Sequence, residues 1–317
     1  MEPIATVKYI LFFDARDPEH ARDSAIVLKT LQKMKTELKD RFEPVAFIVR
    51  SGKMLSLDKT RQEPTWRGTK IYLFSEDGKH PKILFESKKW FQFPISCVNF
   101  LIEQMVGYKK VVTAWKGHGN SVQIAGTPIW LAASELAKAV QIVNVIPKGI
   151  ILDLCHGALM HTTAAFAGLS ETVLGSQLIT NDFGFAELDL LMGFHVQAAG
   201  YSSVLGAMSN LVKAKKGVDS ISLVRPDKIK DLVRHYQEIV QWPESDAAFD
   251  NGYRVIPFGQ TEPVADLGCY LKGFPLAKMR EEKSLIIRQA RSLLKQGVLA
   301  TFTGENLTEL SGLSVIK

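Results

Sequence analysis

Four short runs that are almost wholly apolar, Tyr9–Phe13, Val45–Val49, Val111–Trp115 and Gly149–Leu154, limit this chain more than any other feature. A run of that length, bounded by polar or glycine residues, reads as a strand buried on both faces. Between the first two, Ala25, Leu28, Leu31, Met34 and Leu38 recur at helical spacing. Strand followed by amphipathic helix followed by strand is the βαβ unit, so the expected class is α/β with a mainly parallel sheet flanked by helices.

Other segments fit around that frame. Lys70–Phe74 and Lys82–Phe85 flank a Ser-Glu-Asp-Gly stretch and predict a β-hairpin. Cys97–Met105 and Trp130–Val143 predict helices, the second closed by Pro147. The small-residue run Ala158–Ala167 predicts a helix opening directly after Cys155. Leu174–Thr180 predicts a strand ending at Asn181-Asp182. Beyond Phe185, Leu188–Val212 and Asp227–Val240 are expected to be mostly helical, separated by the basic loop Lys213–Asp219. Pro263–Leu271 and Ser284–Leu294 form a further apolar pair leading into Val298–Phe302. Gly312–Lys317 reads as the opening of a strand with no natural tail, which suggests truncation. The expected organisation is one domain, with residues 1–185 as the core and 186–317 completing it.

Composition excludes several function classes. Hydrophobic residues at 46% and charged residues at 23% are those of a globular chain that buries a core, not of a disordered one. The net charge of +6 arises from 39 basic against 33 acidic residues, and the densest basic run, Lys213-Ala214-Lys215-Lys216, lacks aromatic neighbours for stacking. Nucleic acid is therefore not an expected partner. Three widely spaced cysteines without a CxxC pair argue against a disulfide framework or zinc ribbon. Neither a signal peptide nor an apolar stretch of about 18 residues is present, so no membrane partner is expected and the compartment is cytoplasmic or reached by a signal-independent route. No nucleotide cofactor is implied, because neither GxGxxG nor GxxxxGK[ST] occurs. Cys155, His156, His161 and His118 could in principle gather as metal ligands, but His156 and His161 are five apart and face different sides of a helix.

The chemistry sits where two apolar runs stop. Val111–Trp115 leads to Lys116-Gly117-His118-Gly119, and Gly149–Leu154 leads to Cys155. If the two strands are neighbours in a parallel sheet, His118 and Cys155 emerge at one carboxyl edge, as a thiol nucleophile and an imidazole base require. A helix starting near Gly157 would direct its dipole at the sulfur. The N–H groups of Gly119 and Cys155 would form an oxyanion hole. That constellation predicts acyl transfer through a thioester. Read singly, Cys155 suits a small core residue better than a nucleophile, and it is the conjunction with His118 that points to catalysis.

The chain resembles the clostripain family of cysteine peptidases over most of its length. The likeness is carried by His118-Gly119, Ser134-Glu135-Leu136-Ala137-Lys138-Ala139 and Asp153-Leu154-Cys155-His156-Gly157-Ala158-Leu159-Met160, with Trp66-Arg67-Gly68 upstream and Val264-Ala265-Asp266-Leu267 downstream in family order. The resemblance implies a caspase-like three-layer sandwich with a helical C-terminal part, His118 as general base and Cys155 as nucleophile. It also implies a substrate-binding pocket for a basic P1 side chain, with Asp153 and Asp182 as counter-charges. A strand-end carboxylate remains the other reading of Asp153, and a turn-forming one that of Asp182. The implied partner is a peptide cleaved after Arg or Lys, with self-processing in the 213–217 loop. His156, Leu154 and the short Gly119-Asn120 run depart from the family pattern. They keep open a catalytically inactive, protein-binding module of the same fold.

Overall fold

Val7–Ala15 (β1) is buried at every one of its nine positions, and its alternation sorts the whole molecule into layers. Tyr9, Leu11 and Phe13 pack on one face with Val27, Leu31, Met34 and Leu38 of helix α1 (Pro18–Leu38). Ile10 and Phe12 pack on the other with Phe100 and Leu101 of α2 (Cys97–Met105), and with Ala132, Leu136 and Ala139 of α3 (Ile129–Val143). A strand with helices on both faces has no solvent side, which is why its sequence is apolar throughout instead of alternating. The computed structural model describes residues 6–50, 66–77, 81–89, 97–119, 123–177, 202–213, 220–250, 254–255, 264–303 and 310–316.

In chain order the remaining strands are β2 (Phe42–Arg50), β3 (Gly68–Leu73), β4 (Lys82–Ser87), β5 (Lys110–Lys116), β6 (Gln123–Ile124), β7 (Thr127–Pro128), β8 (Gly149–Asp153) and β9 (Val173–Gly175). They are followed by β10 (Ser220–Val224), β11 (Arg254–Val255), β12 (Val264–Asp266), β13 (Val298–Thr303) and β14 (Ser314–Ile316). Nine of them form the central sheet in the order β13-β10-β9-β8-β5-β1-β2-β3-β4. The centre, β9-β8-β5-β1-β2, is parallel. Antiparallel pairs extend it at both edges, one of them the expected β3–β4 hairpin. From β1 the chain crosses through α1 on one face to β2, and from β5 it crosses through α3 on the other face to β8. The order thus reverses between β1 and β5, which leaves a crevice outside their carboxyl ends.

Two expectations are corrected here. The Ala158–Ala167 helix shrinks to five residues, α4 (Met160–Ala164), and does not open at Gly157. The chain instead turns through 154–158 with His156 at φ 56°, and Ala158 N–H donates to the Ser176 carbonyl at 2.8 Å. Leu159 then bridges to Ser314, and these sheet-like contacts outweigh the helix propensity of the alanines. The helical reading beyond Phe185 also missed β10. Ser220-Ile221-Ser222-Leu223-Val224 is fully buried, and its serines hid it from a search for apolar runs. Their hydroxyls are satisfied internally: Ser220 Oγ lies 3.1 Å from Ser176 Oγ and Ser222 Oγ 3.3 Å from Thr301 Oγ1.

Helices Ser202–Lys213, Pro226–Ile239 and Glu281–Gly297 accompany the C-terminal strands. The last two pack with Tyr270, Phe249 and Leu313 into a third apolar cluster. Strands β10 and β13 from the C-terminal half belong to the same sheet as β1. Among the described residues no helix is long and apolar enough to cross a membrane.

Phe12 is the keystone of the α2/α3 face, stacked on Trp115 at 5.3 Å and edge-on to Phe100 at 6.4 Å. Its truncation to Ala is expected to cost about 3–5 kcal/mol. The shift in urea midpoint at unchanged m-value measures it.

Candidate active site

The parallel pairing of β5 with β8 places Lys116 opposite Asp153. Two residues past these strand ends come His118 and Cys155, in the loops that leave the sheet at that edge. The ladder continues past the strand end through Gly117 N–H, which donates to the Asp153 carbonyl at 3.2 Å. Beyond it Gly119 lies against the nucleophile turn. A Cβ there would sit 2.3 Å from Leu154 Cδ1 and 2.9 Å from the Cys155 carbonyl oxygen. Only a glycine allows the two loops to approach this closely. Gly119 also bridges to Ile124, and the His118 carbonyl accepts from Ala125 N–H at 3.0 Å, so the β6–β7 turn holds the imidazole segment. Cys155 is half-buried and His118 exposed.

Lys116 and Asp153 form a buried ion pair at 2.8 Å, with side chains 4% and 3% exposed. The Asp153 carboxylate therefore already has a cation. The Lys116 ammonium also lies over the Phe13 ring, 5.5 Å from its centroid. In this dry setting the pair is costly to break from one side, because the remaining charge has no water to turn to. The signal was present in the chain: a lysine two before His118 and an aspartate two before Cys155 are opposite charges at equal offsets. Asp182 lies outside the described residues, as do residues 214–217 of the loop considered for self-processing.

His156 follows the candidate nucleophile in the left-handed region and is 2% exposed. Its Nδ1–H donates to the Gln177 carbonyl at 2.8 Å, while Nε2 is buried with no hydrogen-bond partner. Gln177 continues inward, donating through Nε2 to Asp266 Oδ2 at 2.9 Å and accepting from Gly312 N–H at 2.9 Å. Asp266 in turn accepts from Cys269 N–H and Ser311 N–H. The turn bearing Cys155 is thereby tied to the C-terminal segment. His156 is thus a fixed anchor, and His161 packs edge-on against Tyr236 at 6.0 Å. The helix dipole expected at Cys155 is not available from a helix of one turn that starts at Met160.

The imidazole of His118 has company that the sequence reading overlooked. Its Nε2 lies 3.6 Å from Asp17 Oδ2, an ion-pair separation outside hydrogen-bond range. Its ring meets His20 edge to face, with centroids 4.5 Å apart. Asp17 lies on the turn from β1 into α1 and His20 in the first turn of that helix, so both stand at the carboxyl end next to β5. Burial first, then the charges of His118 and Lys116, push the His20 imidazolium below its ordinary range, against Asp17 and Asp153.

No protein-family model matches the sequence, and no curated protein sequence matches it. Among solved structures, the chain is similar to an inactive zymogen C11 protease from Parabacteroides distasonis, with a TM-score of 0.71 at 11% identity over 100% of this chain and 93% of that one. A secreted C11 cysteine protease from Bacteroides thetaiotaomicron, iotapain, gives a TM-score of 0.71 at 11% identity, covering 99% of this chain and 94% of that one. A secreted C11 cysteine protease from the same organism in complex with an irreversible peptide inhibitor gives 0.69 at 9% identity over 99% and 93%. The fold of this chain is the one these cysteine proteases share.

Two outcomes test the electrostatics of the site. Lys116→Met or Asp153→Asn alone is expected to cost about 3–5 kcal/mol, and the double variant far less than the sum, in denaturant unfolding. Burial holds the His156 imidazolium below its ordinary pKa. The unfolded chain therefore takes up its proton near the ordinary value of about 6.5 while the folded one does not. Stability is flat above that value and falls as pH drops through it. Between about pH 7.5 and 5.5 the urea midpoint should decline, and less so in His156→Asn, which tolerates the left-handed backbone.

Proposed function

We propose, on a fold shared with C11 cysteine proteases, that this chain is a cysteine endopeptidase with His118 as general base and Cys155 as nucleophile. What supports the reading most is that the two residues follow neighbouring parallel strands, and that Gly119, next to His118, packs against Leu154 and the Cys155 carbonyl. His118 takes the thiol proton, and the thiolate attacks the scissile carbonyl carbon. The N–H groups of Gly119 and Cys155 receive the developing oxyanion. The peptide C–N bond then breaks as the imidazolium returns its proton to the leaving amine, giving a thioester that water hydrolyses.

A basic P1 residue remains the proposed specificity, with Asp182 as its counter-charge. Asp153 is better read as structural, since Lys116 already neutralises it. A guanidinium entering beside that pair would have to displace a lysine held at both its ends. The same pair also favours a second reading, a catalytically silent module of this fold in which an internal lysine stands in for the substrate's cation.

Alkylation by iodoacetamide and by an arginyl chloromethyl ketone separates the readings. The enzyme is expected to label at Cys155, with His118→Ala slowing labelling about a hundred- to ten-thousand-fold. A fluorogenic P1 scan should show Arg or Lys cleavage that Asp182→Asn weakens selectively. Self-cleavage near residues 213–217 would appear as two fragments in the wild type and one chain in Cys155→Ala. Labelling at Cys155 that is indifferent to His118 would sink the dyad.

A further inference from the structure

The crevice between β1 and β5, where the strand order reverses, gathers two side chains that the proposed chemistry leaves unused, Asp17 and His20, around the proposed base His118. Asp17, His20 and His118 each turn one donor atom into it, and the three donors lie within 4.8 Å of one another. Asp17 comes from the β1–α1 turn, whose backbone is braced by Asp14, and His20 from the first turn of α1. The Asp14 carboxylate grips Arg16 through both oxygens, at 2.7 Å to Nε and 2.7 Å to Nη2. His118 comes from the other wall of the crevice, at the end of β5. The two imidazoles meet at 73°, and Nδ1 of His20 is buried with no hydrogen-bond partner. A buried ring nitrogen without a partner is uncommon enough to need a reason.

We propose that Asp17, His20 and His118 form a binding site for a divalent transition-metal ion of the zinc type. Resting on the peptidase reading for its consequence, the site is regulatory: the ion claims the imidazole that the thiol needs.

The donor set selects the class of ion. Two imidazoles and one carboxylate suit zinc and its neighbours, while calcium and magnesium favour oxygen donors throughout. Zinc–nitrogen and zinc–oxygen bonds of about 2.0–2.2 Å set tetrahedral donors roughly 3.3 Å apart. The pair His118 Nε2 and Asp17 Oδ2, at 3.6 Å, is nearly there already. Side-chain rotation closes the rest, since His118 is 71% exposed and Asp17 35% exposed. That exposure also leaves the fourth position to water, or to a donor group of a bound partner.

The consequence for His118 comes from electron counting. A neutral imidazole has one nitrogen lone pair; its other nitrogen carries hydrogen. Coordinated through that lone pair, His118 has nothing left with which to accept the Cys155 proton. Zinc here would silence the thiol without touching sulfur, and a chelator would restore it. No bond to the protein backbone and no redox change is involved.

The test uses the full chain carrying Cys155→Ala, so that sulfur is excluded as a ligand. Zinc is titrated in competition with a chromophoric chelator. One equivalent is expected to bind. Asp17→Asn, His20→Gln and His118→Ala should each weaken binding by at least the roughly tenfold that loss of even an outer partner costs. Far-ultraviolet circular dichroism checks that each variant is folded, and His20→Asn serves if His20→Gln is not. With Cys155 present, micromolar zinc should slow iodoacetamide labelling, and His20→Gln should abolish the slowing when each variant is compared with and without metal. Absence of binding, affinity unchanged by all three substitutions, or binding that vanishes with Cys155→Ala would each overturn the site. Failure of the peptidase reading looks different: labelling without zinc would ignore His118→Ala, while zinc binding in the Cys155→Ala chain would persist.

Discussion

The register of β5 against β8 is the constraint on which the rest depends. The parallel pair sets Lys116 opposite Asp153, and the loops that carry His118 and Cys155 leave the sheet directly after those two residues. A slip of one residue would turn Lys116 and Asp153 to opposite faces of the sheet and part a buried ion pair. The ion pair thus locks the register of the two strands whose following loops carry His118 and Cys155. The same dry contact takes Asp153 out of play as an open counter-charge, so one interaction shapes both alignment and recognition.

Around that ladder the edge is assembled from pieces held to very different degrees. The Cys155 turn is pinned from below by His156 on Gln177, and Gln177 by Asp266 and Gly312. His118 is held through its backbone, by Gly119 against Leu154 and by Ala125, while its ring stands in solvent beside Asp17 and His20. A fixed nucleophile segment beside a base with an exposed ring is a layout in which a small ligand can decide where the imidazole points. The crevice at the order reversal supplies the place for such a ligand.

Much of the fold was legible because its strands are buried on both faces. β1, β2, β5 and β8 announce themselves as apolar runs, α1 by its spacing and α3 by its composition. What escaped was polar but satisfied: β10, whose serines bond to Ser176 and Thr301, fell unassigned between the basic loop and the helix from Asp227. The helix after Cys155 was over-read, since alanine-rich composition says nothing of the bridge from Leu159 to Ser314. In the site, Lys116 was readable from its offset but went unread. Asp17 and His20 were not, because nothing near residue 118 in the chain points to residues so far upstream.

By itself the sequence determined which segments must be strands, that His118 and Cys155 follow strand ends, and that glycines flank His118. Those are local matters of apolar content and backbone freedom. Only the tertiary structure decided that β1 lies beside β5, so that an aspartate and a histidine from the first turn face His118. It alone decided that Asp153 meets Lys116. Contacts between strands distant in sequence are set by how helices pack over the sheet faces, and no local pattern encodes which partner a buried charge will find.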